Sequence, residues 1–122
     1  MQHCLVVDDS PIIRKYTRLI FEALGFRVSD AETHEEAYLR LETESPDLIL
    51  LDWQMPSCNC HDFLSKVRTL PLQTAPYIIF MTSENDSVEI NKAFSFGADD
   101  YLLKPFNREI IEMKLHDIRV AA

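Results

Sequence analysis

The chain has 122 residues, 47% of them hydrophobic, which suffices for one ordinary core and includes no apolar run of membrane-spanning length. Twenty acidic against 12 basic side chains leave a net charge of −8, which excludes the clustered Lys and Arg of a nucleic-acid surface. No signal-like N-terminus is evident, and three cysteines without framework spacing fit a reducing compartment, so a cytoplasmic, membrane-free monomer is expected.

Two periodicities alternate along the chain. Cys4 to Val7 is a short apolar run that stops at Asp8-Asp9. Ser10-Pro11 reads as an N-cap with proline at the first helical position. Ile12, Ile13, Tyr16, Leu19, Ile20, Ala23 and Leu24 follow at helical spacing, and Gly25 stops the helix. Phe26 to Ala31 alternates like a strand with one wet face. Thr33-His34-Glu35-Glu36 has the capping-box pattern and opens a helix carrying Ala37, Leu39 and Leu41 to about Ser45.

Leu48 to Leu51 is the third strand. Asn59 or Cys60 leads into a helix with Phe63, Leu64, Val67 and Leu70. Pro71 and Pro76 bracket a loop before the fourth strand, Tyr77 to Met81. Asp86-Ser87-Val88-Glu89 repeats the cap pattern, with Ile90, Ala93 and Phe94 at helical spacing up to Gly97. Tyr101 to Leu103 is the fifth strand, and a last helix from about Asn107 presents Ile110, Ile111, Met113, Leu115 and Ile118.

Five strand–helix units without linker or repeat imply a single domain over residues 1–122, with a parallel sheet covered by helices on both faces. The apolar strands one, three and four belong in the middle, and the alternating second strand fits an edge. Right-handed crossovers then favour order 2-1-3-4-5, the flavodoxin-like doubly wound α/β sandwich. Ligands of such sheets bind beyond the carboxyl ends of the strands. Asp8 and Asp9 end strand one, Asp52 ends strand three, Thr82 ends strand four and Lys104 follows strand five.

Each residue has an ordinary structural use alone: caps, turns, a solvated lysine. Four strand ends supplying such groups together point to a site. Three carboxylates in one cleft need a proton or a cation, and an open, oxygen-only site suits Mg²⁺. With a hydroxyl and an ammonium opposite, the set meets the charge demands of phosphoryl transfer, in which a carboxylate can act as nucleophile.

The stretches Val7-Asp8-Asp9-Ser10, Pro46 to Pro56, Met81-Thr82 and Gly97 to Phe106 together resemble a response-regulator receiver domain of the stand-alone, CheY-like type. The resemblance covers about Cys4 to Ile118 and is highly specific in this order and spacing. It implies that Asp52 accepts a phosphoryl group from the phosphohistidine of a sensor histidine kinase or phosphotransfer protein. It implies Mg²⁺ on Asp9 and Asp52, with Asp8 acting largely through water and Gln54 through its backbone carbonyl. Thr82 and Lys104 would hold the phosphoryl oxygens, Tyr101 would be the switch aromatic coupled to Thr82, and the Lys104–Pro105 bond would be cis. Output would pass through the face of the fourth helix, fifth strand and fifth helix, with Lys92, Phe96 and Tyr101, to a partner such as a flagellar motor, a kinase or a relay protein. Such a chain is a phosphoacceptor switch and not a turnover enzyme.

The sequence departs from the family where Cys58-Asn59-Cys60 replaces a turn that usually contains Asp-Gly. A positive φ at Cys60 would cost about 1 kcal/mol, so either the backbone differs there or strain is tolerated. Cys58, Cys60 and His61 also resemble a fragment of a soft-metal site, without a fourth ligand. Two other readings compete. A Mg²⁺-dependent aspartate-nucleophile phosphatase needs a second Asp two residues after the nucleophile, where Gln54 stands. A receiver-shaped interaction module that takes no phosphate would need none of these groups.

Overall fold

The apolar runs become a five-stranded parallel sheet in the order β2-β1-β3-β4-β5, set between two helical layers. The computed structural model describes residues 2–55, 59–72 and 75–121. The strands are β1 (His3–Val7), β2 (Arg27–Ala31), β3 (Leu48–Asp52), β4 (Tyr77–Thr82) and β5 (Asp100–Leu103). Between and after them lie α1 (Pro11–Ala23), α2 (His34–Glu44), α3 (Cys60–Thr69), α4 (Ser87–Phe96) and α5 (Arg108–Ala121). Every position of β1 and β3 is buried, as central strands of a doubly covered sheet require.

The pleat divides the core in two. Leu5, Val7, Ile49, Leu51, Ile78 and Phe80 pack against Ala37 and Leu41 of α2, Phe63, Leu64 and Val67 of α3, and Ala93 of α4. Cys4, Val6, Leu48, Leu50, Ile79 and Met81 pack on the other face against Ile20 and Phe21 of α1 and Ile111 and Leu115 of α5. Each large side chain so buried contributes about 1.5–3 kcal/mol. Register carries this order to the functional rim: Val7 pairs with Leu51, Asp52 with Met81, and Thr82 with Leu103.

Local chemistry sets the helix starts. The side chains of Ser10, Thr33, Asn59, Asp86 and Asn107 accept from the backbone N–H groups of Ile13, Glu36, Asp62, Val88 and Ile110. At α2 the Glu36 carboxylate reaches back to the N–H of Glu32, one residue before the cap residue Thr33. α2 ends on Ser45 with φ 43°, the only described non-glycine residue in the left-handed region.

Three expectations change. The helical spacing that groups Ile12 and Leu19 with the core is misleading, because α1 buries Thr17, Ile20 and Phe21 and leaves Ile12 79% exposed. Leu39 and Met113 likewise face solvent. Cys60 is the first residue of α3 behind the Asn59 cap, so its backbone is free of the positive φ that the family turn would demand. Pro56 and Cys58 lie outside the described residues. Cys60 itself is buried, its thiol donating to the carbonyl of Asp52 at 3.4 Å, with His34 Nε2 at 4.0 Å.

Candidate functional site

The site lies on the rim where β1, β3, β4 and β5 end. β1 delivers the completely buried Asp8 and the exposed Asp9, and β3 delivers Asp52 at 3% exposure. One carboxylate oxygen from each of the three lies within 4.8 Å of the others. Asp8 Oδ1 accepts from the N–H of Ser10, which ties the carboxylate to the start of α1. Asp52 Oδ1 accepts from the N–H of Gln54 at 3.1 Å.

Lys104 reaches in from the end of β5. Its Nζ donates to Asp8 Oδ2 at 3.0 Å and to Asp52 Oδ1 at 3.3 Å. Its backbone N–H donates to the carbonyl of Thr82, and the Lys104–Pro105 peptide bond is cis. Thr82 is buried on the other side of the cleft, its Oγ1 accepting from the N–H of Glu84 at 3.1 Å. That leaves the hydroxyl hydrogen to donate.

Charge is unbalanced here: three carboxylates share one ammonium. Burial pushes the Asp52 pKa above its usual value and the Asp8 charge adds to the rise, while the Gln54 amide and Lys104 oppose it. An all-oxygen donor set with surplus negative charge, open on the Asp9 side, fits Mg²⁺ well and a soft metal poorly. Asp8, Asp9 and Asp52 are the side chains that would hold it. By contrast, among the described residues Cys60 and His34 are joined by no third thiol, imidazole or carboxylate in a metal-holding cluster.

The remaining expected residues fall in different places. Tyr101 is half-buried beside Phe80 and Phe94, at ring distances of 5.9 and 6.4 Å. Lys92 is exposed on α4 and pairs with Glu89. Phe96 turns toward α3, where its ring stacks on His61. Three further residues bear on the site. Ser83 donates to Gln54 Oε1 through both its N–H (3.0 Å) and its hydroxyl (2.8 Å), joining the two sides of the cleft mouth. Phe94 supplies the ring that meets Tyr101, and Lys114 of α5 lies over the Tyr101 ring at 5.1 Å while bonding Asp100. The helical spacing around Ala93 marks Phe94 as apolar but not its neighbour, and nothing in the sequence signals Ser83 or Lys114.

Comparison with known proteins agrees with this geometry. A family model for the response regulator receiver domain matches residues 4–116. Chemotaxis protein CheY1 of Helicobacter pylori is 34% identical over 113 residues, 91% of each chain. Transcriptional regulatory protein CrdR of the same organism is 33% identical over 110 residues, 90% of this chain and 51% of that one. KdpE, a KDP operon transcriptional regulatory protein of Escherichia coli, is 34% identical over 115 residues, 94% and 50% of the two chains. The chain thus spans about half the length of several curated relatives that it matches. Among solved structures, chemotaxis protein CheY4 of Vibrio cholerae superposes with a TM-score of 0.89 at 28% identity, covering 96% of this chain and 98% of its own. Among the described residues no helix is long and apolar enough to cross a membrane. Sheet order, acidic rim and family match agree: the chain belongs to the response-regulator receiver domain family of two-component signalling.

Proposed function

We propose that the chain is a phosphorylation-operated switch that takes a phosphoryl group on Asp52 from a phosphohistidine of a histidine kinase or phosphotransfer protein, and signals by binding a partner protein. The observation that carries this reading is the Lys104 ammonium held between Asp8 and Asp52 beside Thr82. An Asp52 oxygen attacks phosphorus, the phosphorus–nitrogen bond breaks, and the imidazole leaves with a proton. Burial supports the nucleophile, since a raised pKa makes the ionised carboxylate more basic. Lys104 shifts from carboxylate to phosphoryl oxygen, and the Thr82 hydroxyl donates to another. A bound Mg²⁺ supplies charge neutralisation for the carboxylates and the incoming oxygens.

The phosphoryl group brings a charge of roughly −1.5 to −2, which Thr82 meets by moving inward with the loop that leads to α4. Tyr101, packed between Phe80 and Phe94, follows into the space vacated, and the face of α4, β5 and α5 changes. Family membership sets the phosphatase reading aside: Gln54 stands where that chemistry needs a general acid. Incubation with Mg²⁺ and acetyl phosphate is expected to yield an alkali-labile adduct on Asp52. No adduct on the wild-type chain, or an undiminished adduct in Asp52→Asn, would sink this reading.

A further inference from the structure

α4 is held unevenly along its length. Its one buried side chain is Ala93, and Phe94 beside it meets Phe80 and Tyr101. Phe96 lies flat on His61 of α3, with ring centroids 4.4 Å apart and planes within 6°. His61 leans in turn on Trp53 at 5.1 Å. One residue later the Gly97 carbonyl accepts from Arg68 Nε (3.1 Å) and Nη2 (2.6 Å). The same guanidinium donates to the Pro76 carbonyl at 2.9 Å and to Asp99 Oδ2 at 2.7 Å. Gly97 has φ +122°, and a Cβ there would stand 3.0 Å from Arg68 Cγ, so a side chain would be strained and would crowd the guanidinium stem.

The N-terminal half has much less. Asp86 caps it, Ile90 is partly buried against the core, and Val88 is 59% exposed. The Lys92–Glu89 pair is a surface contact within the helix itself and fixes it to nothing. That half is joined to Thr82 and Ser83, where the site meets the loop before α4, through Glu84, Asn85 and the Asp86 cap.

We propose that His61 and Arg68 are positioning residues of the switch. They fasten the C-terminal end of α4 to α3, so that movement entering at Thr82 and Ser83 swings the N-terminal half of α4 about a fulcrum at Phe96 and Gly97. This rests on the phosphoacceptor reading. Phe96 is then the pivot and not part of the surface that changes, and the moving edge is the Val88–Lys92 half. His61 puts an aromatic ring in the first turn of α3, where Phe96 lies on it.

The test is amide hydrogen exchange along α4 in the full chain, free and with Mg²⁺ plus beryllofluoride. In the free wild type, protection is expected to be higher at residues 94–98 than at 87–91, and beryllofluoride is expected to change residues 83–92 and spare 94–98. His61→Ala and Phe96→Ala lower protection at 94–98 by roughly fivefold and let the beryllofluoride response spread through them, while His61→Phe restores both. Arg68→Lys, which keeps the charge but loses the fork, gives the same spread. Even protection along α4 in the wild type overturns the fulcrum, as does unchanged protection in His61→Ala or failure of His61→Phe to restore it. A chain with the gradient and the His61 dependence but no beryllofluoride response keeps the anchor of α4 on α3 and overturns both the swing and the phosphoacceptor reading.

Discussion

Replacing Asp52 by Asn is expected to make the chain more stable when no divalent cation is bound. At an effective dielectric near 20, repulsion between Asp8 and Asp52 oxygens within 4.8 Å of each other is at least about 3.5 kcal/mol, and attraction of Lys104 to Asp52 at 3.3 Å is about 5 kcal/mol. Asp9 is exposed, so water screens its share. The Gln54 amide adds about 1.5–3 kcal/mol in favour of the charge. Against these stands the loss of hydration of a carboxylate only 3% exposed, several kcal/mol. Desolvation and the Asp8 charge together outweigh the Gln54 amide and Lys104, as the raised pKa of Asp52 indicates. The Asn side chain keeps an acceptor for Gln54 and leaves Lys104 paired with Asp8. The variant should gain about 1 kcal/mol, a rise in Tm of about 3–6 °C by circular dichroism in EDTA at pH 7. Mg²⁺ at ten times its Kd should add about 1.4 kcal/mol to the wild type and less to the variant, closing the gap. The pH sign follows from the raised pKa: the cost of ionised Asp52 is fully present above its folded pKa and fades as pH falls toward the usual value near 3.8. An Asn variant that melts below the wild type in EDTA at neutral pH would refute this balance of terms.

Other substitutions probe separate terms. Lys104→Met leaves Asp8 and Asp52 without their shared ammonium and should cost about 2–3 kcal/mol at pH 7 by urea unfolding, less when Mg²⁺ is present. Ser45→Gly should stabilise by about 0.5–1 kcal/mol, because φ 43° strains a side-chain-bearing residue; a lower denaturation midpoint would contradict that. Gly97→Ala should lose more than about 1 kcal/mol through both its φ and the contact with Arg68, and equal stability to wild type would count against the tight joint. Thr33→Ala should lower stability by about 1 kcal/mol through the lost N-cap, read as a shift in urea midpoint.

The sheet was legible because its central strands β1, β3 and β4 carry apolar runs suited to a doubly covered sheet, and the polar residues ending those runs mark the rim. Asp8, Asp9, Asp52, Thr82 and Lys104 could be brought together from strand order alone. What periodicity could not decide was which of two apolar stripes on α1 faces the sheet: Ile13, Thr17, Ile20 and Leu24 are spaced as regularly as Ile12, Tyr16, Leu19 and Ala23. The inner stripe contains a threonine, whose hydroxyl has no partner among the described residues, and the outer one is apolar enough that periodicity does not separate the two. The cleft mouth was hidden for another reason. The Gln54–Ser83 pair joins residues 29 positions apart through side-chain reach, and Lys114 meets Tyr101 only through the packing of α5 on the sheet. Such contacts depend on helix placement to within an ångström or two, which no local pattern encodes.

The thiol of Cys60, bonded to the carbonyl of the phosphoacceptor residue, gives the chain a built-in clock. Cys4 is fully enclosed in the central strand β1 and meets reagent only when the sheet itself opens, whereas Cys60 is released once the first turn of α3 lifts from β3. In a chain carrying Cys58→Ser, the two labelling rates therefore time separate events, one global and one confined to the floor beneath Asp52. A change in the Cys60 rate on adding beryllofluoride, with the Cys4 rate constant, would report the site tightening from below.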